Sequence, residues 1–273
     1  MIQNGNMRKG KILFTGSGGF FGRQFVPLLI RDGWEVICPR SKEINLENKD
    51  EVDTLFTDHY DAVIHAAMVG KKFSGKNVID DKFILYRNLM IFENLFRHID
   101  KTDIFINFDS GVSSNNPIDP YGFSKYCISK RVLTHPKTAN LRCWGCFGPY
   151  EDKERFFYTN INNYINKRDI IIHMDKKMDF IYVNDLYKIL CFYLSDIKIP
   201  IPNHFDCVYS KKYYLSEIAE MINKLGNHTV NIIKEYEGIG EPYCGTYNNI
   251  ELDYFGLEKG IKNCYENFCK RNF

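Results

Sequence analysis

No apolar run in this 273-residue chain approaches the roughly 20 residues that a bilayer span requires. The first ten residues, MIQNGNMRKG, lack the apolar stretch of a secretory leader. Both absences lead us to expect a cytoplasmic protein with no membrane partner. An excess of one charge is missing too: 36 basic and 34 acidic residues leave a formal net charge of +2. Nothing in that balance calls for a nucleic-acid partner. There is no internal repeat, no low-complexity tract and no cysteine framework. The nine cysteines are odd in number and scattered from Cys38 to Cys269, so we expect reduced, mostly buried thiols. The close pair Cys143 and Cys146 follows an expected strand, whereas a redox pair opens a helix. No second pair stands at ligand spacing, and no metal is expected.

What is present is alternation. Strand-length apolar runs (KILFT, WEVIC, DAVIHAA, DIFINF, ANLRCW) alternate with helical patterns over Phe20–Arg31, NKDEVDTLF, Phe83–His98 and DPYGFSKYCISKRVL. Strands apolar on both faces, each followed by a helix, predict a doubly wound parallel α/β sheet covered on both sides. After about residue 150 the pattern loosens. RFFYTNINNYINK and NDLYKILCFYL read as helices, DIIIHM and MDFIYV as short strands, and YYLSEIAEMINKLG as an amphipathic helix with Ser216 as cap and Gly226 as stop. This part is expected to form a smaller C-terminal lobe.

The opening strand runs into TGSGGFFG, which places Gly16, Gly19 and Gly22 at every third position between a strand and a helix. A tight turn, a close approach of pyrophosphate to backbone N–H groups, and close helix–strand packing each require a residue without a side chain. The helix start adds unsatisfied N–H groups and a positive dipole end. The pattern predicts a Rossmann-type dinucleotide-binding domain over residues 1–150. Residues 151–273 would be mainly a substrate-binding lobe, with a segment around 178–195 returning to the first domain. At the end of the second strand, where an NAD site offers an acid to the ribose, stand Arg40, Ser41 and Lys42. A basic cluster there suits the 2′-phosphate of NADPH, with NADH the lesser candidate. Glu43 is the alternative acid if the register differs by a few residues.

Tyr121 and Lys125, four apart in DPYGFSKY, project from one face of a helix. A phenol beside an ammonium can pass a proton to a carbonyl oxygen while hydride moves to carbon. Here the chain resembles the extended short-chain dehydrogenase/reductases, the NAD(P)-dependent nucleotide-sugar epimerase/dehydratase family. The resemblance rests on Thr15–Gly22, DAVIHAA, Asn88, YGFSK at Tyr121–Lys125, LRCWGCFGPYE and MDFIYVNDL. Within the family the chain looks most like the GDP-fucose synthase-like epimerase/reductases. The resemblance implies Ser110, Tyr121 and Lys125 as the catalytic set, Ser113 and Ser114 being substitutes for Ser110. It implies Gly16, Gly19, Phe20, Phe21, Gly22, Arg40, Ser41, Ala66, Ala67, Tyr121 and Lys125 around the cofactor. Ser110, Arg155 and Lys177 would meet a nucleoside-diphosphate sugar. Asn88 would hold backbone near the site or order a proton path. The rings of Phe20 and Phe21 read as helix packing, and His65 as a hydrogen-bonded residue at a strand end. A homodimer through the two long helices is implied as well.

Three departures narrow the expected chemistry. Gly111 and Val112 follow Ser110, where dehydratases of the family carry an acidic pair. Val112 stands where the fucose synthases carry a cysteine, and GPYEDKERFF contains no histidine. Asp109, Cys146 or His173 would have to replace those groups. Met178 occupies the place of a phosphate-binding arginine, leaving Lys176, Lys177 or Arg155 to supply the charge. The expected reaction is therefore NADPH-dependent reduction of a keto group, at C4, on a nucleoside-diphosphate deoxy-sugar. The alternatives are an NAD-dependent 4-epimerase, a bifunctional epimerase/reductase, and a non-catalytic dinucleotide sensor or scaffold.

Overall fold

A computed structural model describes residues 9–70, 72–74, 77–79, 82–114, 117–195, 202–248, 250 and 252–271. Most of the opening decapeptide thus lies outside the described residues. The chain divides into two compact units. The first comprises residues 1–142 and 196–205, the second 143–195 and 206–273.

In the first unit β1 (Gly10–Thr15), α1 (Phe20–Arg31), β2 (Trp34–Ile37), α2 (Lys49–Leu55) and β3 (Tyr60–His65) follow in order. A small antiparallel hairpin, β4 (Lys72–Ser74) and β5 (Asn77–Ile79), precedes α3 (Ile84–Phe96), β6 (Thr102–Ser110), a 3-10 turn (Gly111–Ser114), α4 (Pro120–Val132) and β7 (Thr138–Cys143). The second unit holds β8 (Cys146–Phe147), α5 (Phe156–Ile165), β9 (Ile170–Asp175), β10 (Ile181–Tyr182) and α6 (Val183–Tyr193). After β11 (His204–Cys207) come α7 (Leu215–Asn223), β12 (Ile232–Ile239) and α8 (Leu257–Arg271).

Six strands form the main sheet in the order β11-β7-β6-β3-β1-β2. β1 pairs in parallel with both β2 and β3, and β3 in parallel with β6. This is the expected doubly wound sheet. Alternate residues of each strand face opposite sides. Leu13, Val63 and Phe105 pack with Ile91, Phe92, Leu95, Ile128 and Val132 beneath α3 and α4. Phe108 packs against Phe21 and Phe25 of α1 on the other face. Helix α2 begins where expected because the Asn48 side chain accepts from the Asp50 and Glu51 N–H groups, filling two of the four orphan donors of a helix start. Among the described residues no helix is long and apolar enough to cross a membrane.

The second unit is held differently. β12 pairs in parallel with β9, and β10 with β8. Asp185, fully buried on α6, accepts from the Phe255 and Gly256 N–H groups and from the Tyr209 hydroxyl. Asp179 accepts from Gly245 N, Asp206 from Thr246 N, and Asp175 from Ser216 N. Ser216 is thus not the cap of α7. Tyr214 is, its N–H donating to Glu217 at 2.7 Å, and the helix ends at Asn223, ahead of Gly226. The chain's two tryptophans fall one to each unit: Trp34 opens β2, and Trp144 lies buried against Gly245. Four cysteines are buried and five half-buried, and none is joined in a disulfide among the described residues. Burial pushes the Cys146 and Cys207 thiols well above their ordinary range.

Candidate cofactor cleft and active site

Gly16 leaves β1 with φ +77°, a conformation L side chains rarely adopt. A Cβ there would lie 2.6 Å from the backbone of Ala66, so the turn can pass the end of β3 only as glycine. Gly22 is equally constrained, since its Cβ would sit 2.3–2.5 Å from the Ser17 backbone. Gly18 meets nothing within 4 Å, so the fold does not need it bare. Gly19 caps α1 and donates to the Gly16 carbonyl, and no side chain caps the helix start. The first-turn N–H groups are therefore left for an anion.

These residues line a cleft of about 1030 Å³ together with Arg40, Ser41, Lys42, Ala66 and Ala67. Arg40, Ser41 and Lys42 are exposed, and among the described residues no carboxylate pairs with Arg40 or Lys42. Glu43 does not line the cleft. Glu47 does, but its carboxylate holds Arg87 at 2.8 Å. The rings of Phe20 and Phe21 stay out of the cleft, as the packing reading has it; Phe21 stacks on Phe25. Sequence reasoning missed Cys38, Asn45, Leu46, Met68 and Val69 in the lining. Their signal was positional only: each follows directly on the end of a strand or on the loop beyond it. Burial raises the Cys38 thiol against the opposing effects of its bond to Ser17 and of the Arg40 charge. A cleft of this size, floored by glycines, open at a helix start and bearing unmatched cations, fits a nicotinamide dinucleotide.

Ser110 is the last residue of β6, and Tyr121 and Lys125 stand one turn apart on α4, which packs against the 3-10 turn and β6. Lys125 is only 5% exposed, and its Nζ donates to the Phe108 carbonyl at 2.8 Å, two residues before Ser110. Asn88, wholly buried on α3, clasps Val69 through both backbone groups and donates to the Ser124 hydroxyl, which donates to the Tyr121 carbonyl. It thus holds backbone, one of the two roles expected of it. His65 sits at the end of β3, its Nδ1 3.1 Å from the Thr15 hydroxyl. Burial, aided by the Lys125 charge, pushes it down to about 3 and keeps it neutral.

Asp109, Cys146 and His173, which would have to replace an acid or base, are each engaged or buried, while Oδ1 of Asp109 has no partner among the described residues. Oδ2 of Asp109 accepts from Ser113, Asn140 and Arg142. Cys146 is buried, and His173 is exposed and paired with Glu235 at 2.8 Å. In the second unit Arg155 precedes α5 and is half exposed, its Nε on the Glu151 carboxylate at 3.1 Å. Burial pushes Glu151 up to about 7 against the pull of Arg155. Lys177 lies over the Tyr214 ring and Lys176 over Tyr243.

Comparison with known proteins bears on this arrangement. GDP-L-fucose synthase of Azorhizobium caulinodans is 40% identical over 65 residues, which span 23% of this chain and 21% of that protein. The structure of a GDP-L-fucose synthetase from Naegleria fowleri bound to NADP superposes with a TM-score of 0.75 at 15% identity, covering 97% of this chain and 94% of that one. A GDP-mannoheptose C4 reductase from Campylobacter jejuni with NADP bound gives 0.68 at 18% identity, covering 96% and 99%. At these identities the structures speak for the fold. The profile of the NAD dependent epimerase/dehydratase family matches residues 12–207, a stretch that runs from β1 through the glycine turn, Ser110, Tyr121 and Lys125 to β11. The chain belongs to that family.

Proposed function

We propose that the protein is an NADPH-dependent reductase of a keto group, at C4, on a nucleoside-diphosphate deoxy-sugar. The observation that carries this reading is the anchored pair on α4: Lys125, one turn from Tyr121, is fixed on the carbonyl of Phe108, two residues before Ser110. Bound NADPH supplies hydride to the carbonyl carbon. The Ser110 hydroxyl orients the carbonyl oxygen by hydrogen bonding, and Tyr121 donates the proton that oxygen needs. Lys125 places positive charge beside the phenol and offers an N–H group to the nicotinamide ribose. Gly16, Gly19 and Gly22 let the pyrophosphate reach the backbone, and Arg40 and Ser41 receive the 2′-phosphate. That Arg40 lacks a carboxylate partner among the described residues favours the phosphorylated cofactor. The two NADP-bound reductase and synthetase structures support the same choice.

Reduction without epimerisation is favoured because Val112 offers no proton and Asp109, Cys146 and His173 are committed, buried or paired. Arg155 and Lys177 would meet the sugar nucleotide's diphosphate. The working unit we propose is a homodimer: Phe83 and Tyr86 near the start of α3 and Phe123 on α4 are large apolar side chains left exposed, and α3 and α4 pack side by side. The test is NADPH oxidation with a 4-keto-6-deoxy sugar nucleotide. Tyr121→Phe should lower kcat by about 10²–10⁴-fold with NADPH affinity retained. Unchanged turnover would remove the tyrosine, and with it this mechanism.

A further inference from the structure

A row of polar side chains crosses the sheet, one from each of five consecutive strands. Thr15 of β1 and His65 of β3 are register partners, as are His65 and Asn107 of β6. Asn140 of β7 and His204 of β11 continue the row in the order of the sheet. Three of the four intervals are bridged directly. Thr15 Oγ1 meets His65 Nδ1 at 3.1 Å, Asn107 Nδ2 donates to Asn140 Oδ1 at 2.7 Å, and Asn140 Nδ2 lies 3.3 Å from His204 Nδ1.

The interval between His65 and Asn107 is bridged by nothing among the described residues. His65 is 1% and Asn107 0% exposed, and the atoms left without a partner are His65 Nε2 and Asn107 Oδ1. Nδ1 engages β1, so Nε2 is the ring nitrogen left for another partner. Since Nδ2 of Asn107 engages β7, its oxygen is the group left for β3. The Thr15 hydroxyl has one hydrogen and two acceptors in reach, the Ile64 carbonyl at 3.5 Å and His65 Nδ1 at 3.1 Å, so either ring tautomer fits these contacts. Two polar atoms without a partner among the described residues thus stand on register partners, on one face, both nine-tenths buried or more. A buried polar atom without a partner costs about 1–3 kcal/mol, so the two call for a shared ligand that can both donate and accept.

We infer that one buried water molecule joins His65 Nε2 to Asn107 Oδ1 and that this bridge positions Lys125. The peptide carbonyl next to Asn107, that of Phe108, is the acceptor of Lys125 Nζ, which brings the ammonium to the same place. Lys125 has two further N–H groups, and its charge reaches the His65 ring. The water accepts from Lys125, donates to Asn107 Oδ1 and pairs with His65 Nε2 as donor or acceptor according to the ring's tautomer, three bonds being the usual complement of an internal water. The ammonium is then braced from two sides. The water does not depend on the reductase reading; the positioning role rests on it.

Two measurements on the full-length protein test this. In a crystal structure fine enough to place solvent, a water should appear at about 2.6–3.2 Å from both atoms. A direct His65–Asn107 hydrogen bond, or no ordered solvent between them, overturns the inference. For the role, Asn107→Ser and Asn107→Val both lose the bond to Asn140, but only serine keeps an acceptor. The serine variant should stay within about threefold of the wild-type kcat and the valine variant fall about tenfold or more, with NADPH affinity alike in both. Equal kcat values in the two variants overturn the positioning role. A wild-type protein inert toward every keto-sugar, with the water in place, overturns the reductase reading and upholds the bridge.

Discussion

The two units solve the same problem, holding loops in place beside a sheet or helix, by different means. In the first, parallel strands stack apolar rows under α3 and α4, and loops are set by backbone geometry at Gly16 and Gly22 and by the Asn88 side chain at Val69. In the second, buried aspartates staple the chain: Asp175, Asp179, Asp185 and Asp206 each accept a backbone N–H from a distant segment. Lys212, Lys234 and Arg155 of the second unit each sit on a carboxylate, as do Arg87, Arg97, Arg131 and Arg142 of the first, whereas among the described residues no carboxylate pairs with Arg40 or Lys42 in the cleft. A charge that the fold has neutralised is structural. A cluster it has left unmatched, beside a glycine turn, is available to a ligand.

The largest break in this contrast is expected at Asp185. Asp185→Ala would strand the Phe255 and Gly256 N–H groups and the Tyr209 hydroxyl, costing about 3–5 kcal/mol in denaturant unfolding. Next is Gly16→Ala, which forces an unfavourable φ and a clash with the Ala66 backbone for about 3 kcal/mol; calorimetry should also register loss of NADP binding. Third is a pH effect at Glu151. Its folded-state value, about 7, lies above the ordinary one, so the folded chain holds this proton more tightly than the unfolded chain. The stability so gained is complete below about pH 4.5 and is lost as pH rises through 7. Glu151→Gln should therefore flatten the decline in unfolding free energy between pH 5 and 8, and an unchanged slope would clear Glu151 of it. The smallest effect is at the exposed ion pair of Lys11 and Asp58. Asp58→Asn should leave the melting temperature unmoved within error.

The same contrast governs what could be read from the sequence. Helix α1 falls on Phe20–Arg31 as the pattern predicts, because an amphipathic stripe and a glycine start agree with each other. The five main strands of the first unit are legible for the same reason: sheets buried on both faces give uninterrupted apolar runs. Strand β12 gives no such run. Nearly all its residues are exposed, and its pairing with β9 leaves no core signature. Helix α8 does carry a stripe, Leu257, Ile261, Cys264 and Phe268, but the surrounding Lys, Glu and Asn residues mask it. The aspartate staples were illegible, since each depends on which distant N–H group the fold brings near. In the cleft, glycines and basic residues could be found because the chemistry of phosphate names them. Cys38, Met68 and Val69 carry no such label, and position alone brings them there.

The placement of one tryptophan in each unit has a practical outcome. Indole emission from a Trp34→Phe variant reports the aspartate-stapled unit alone, and that from Trp144→Phe the cofactor unit alone. The protein carries its own pair of optical probes for whether its two halves melt as one.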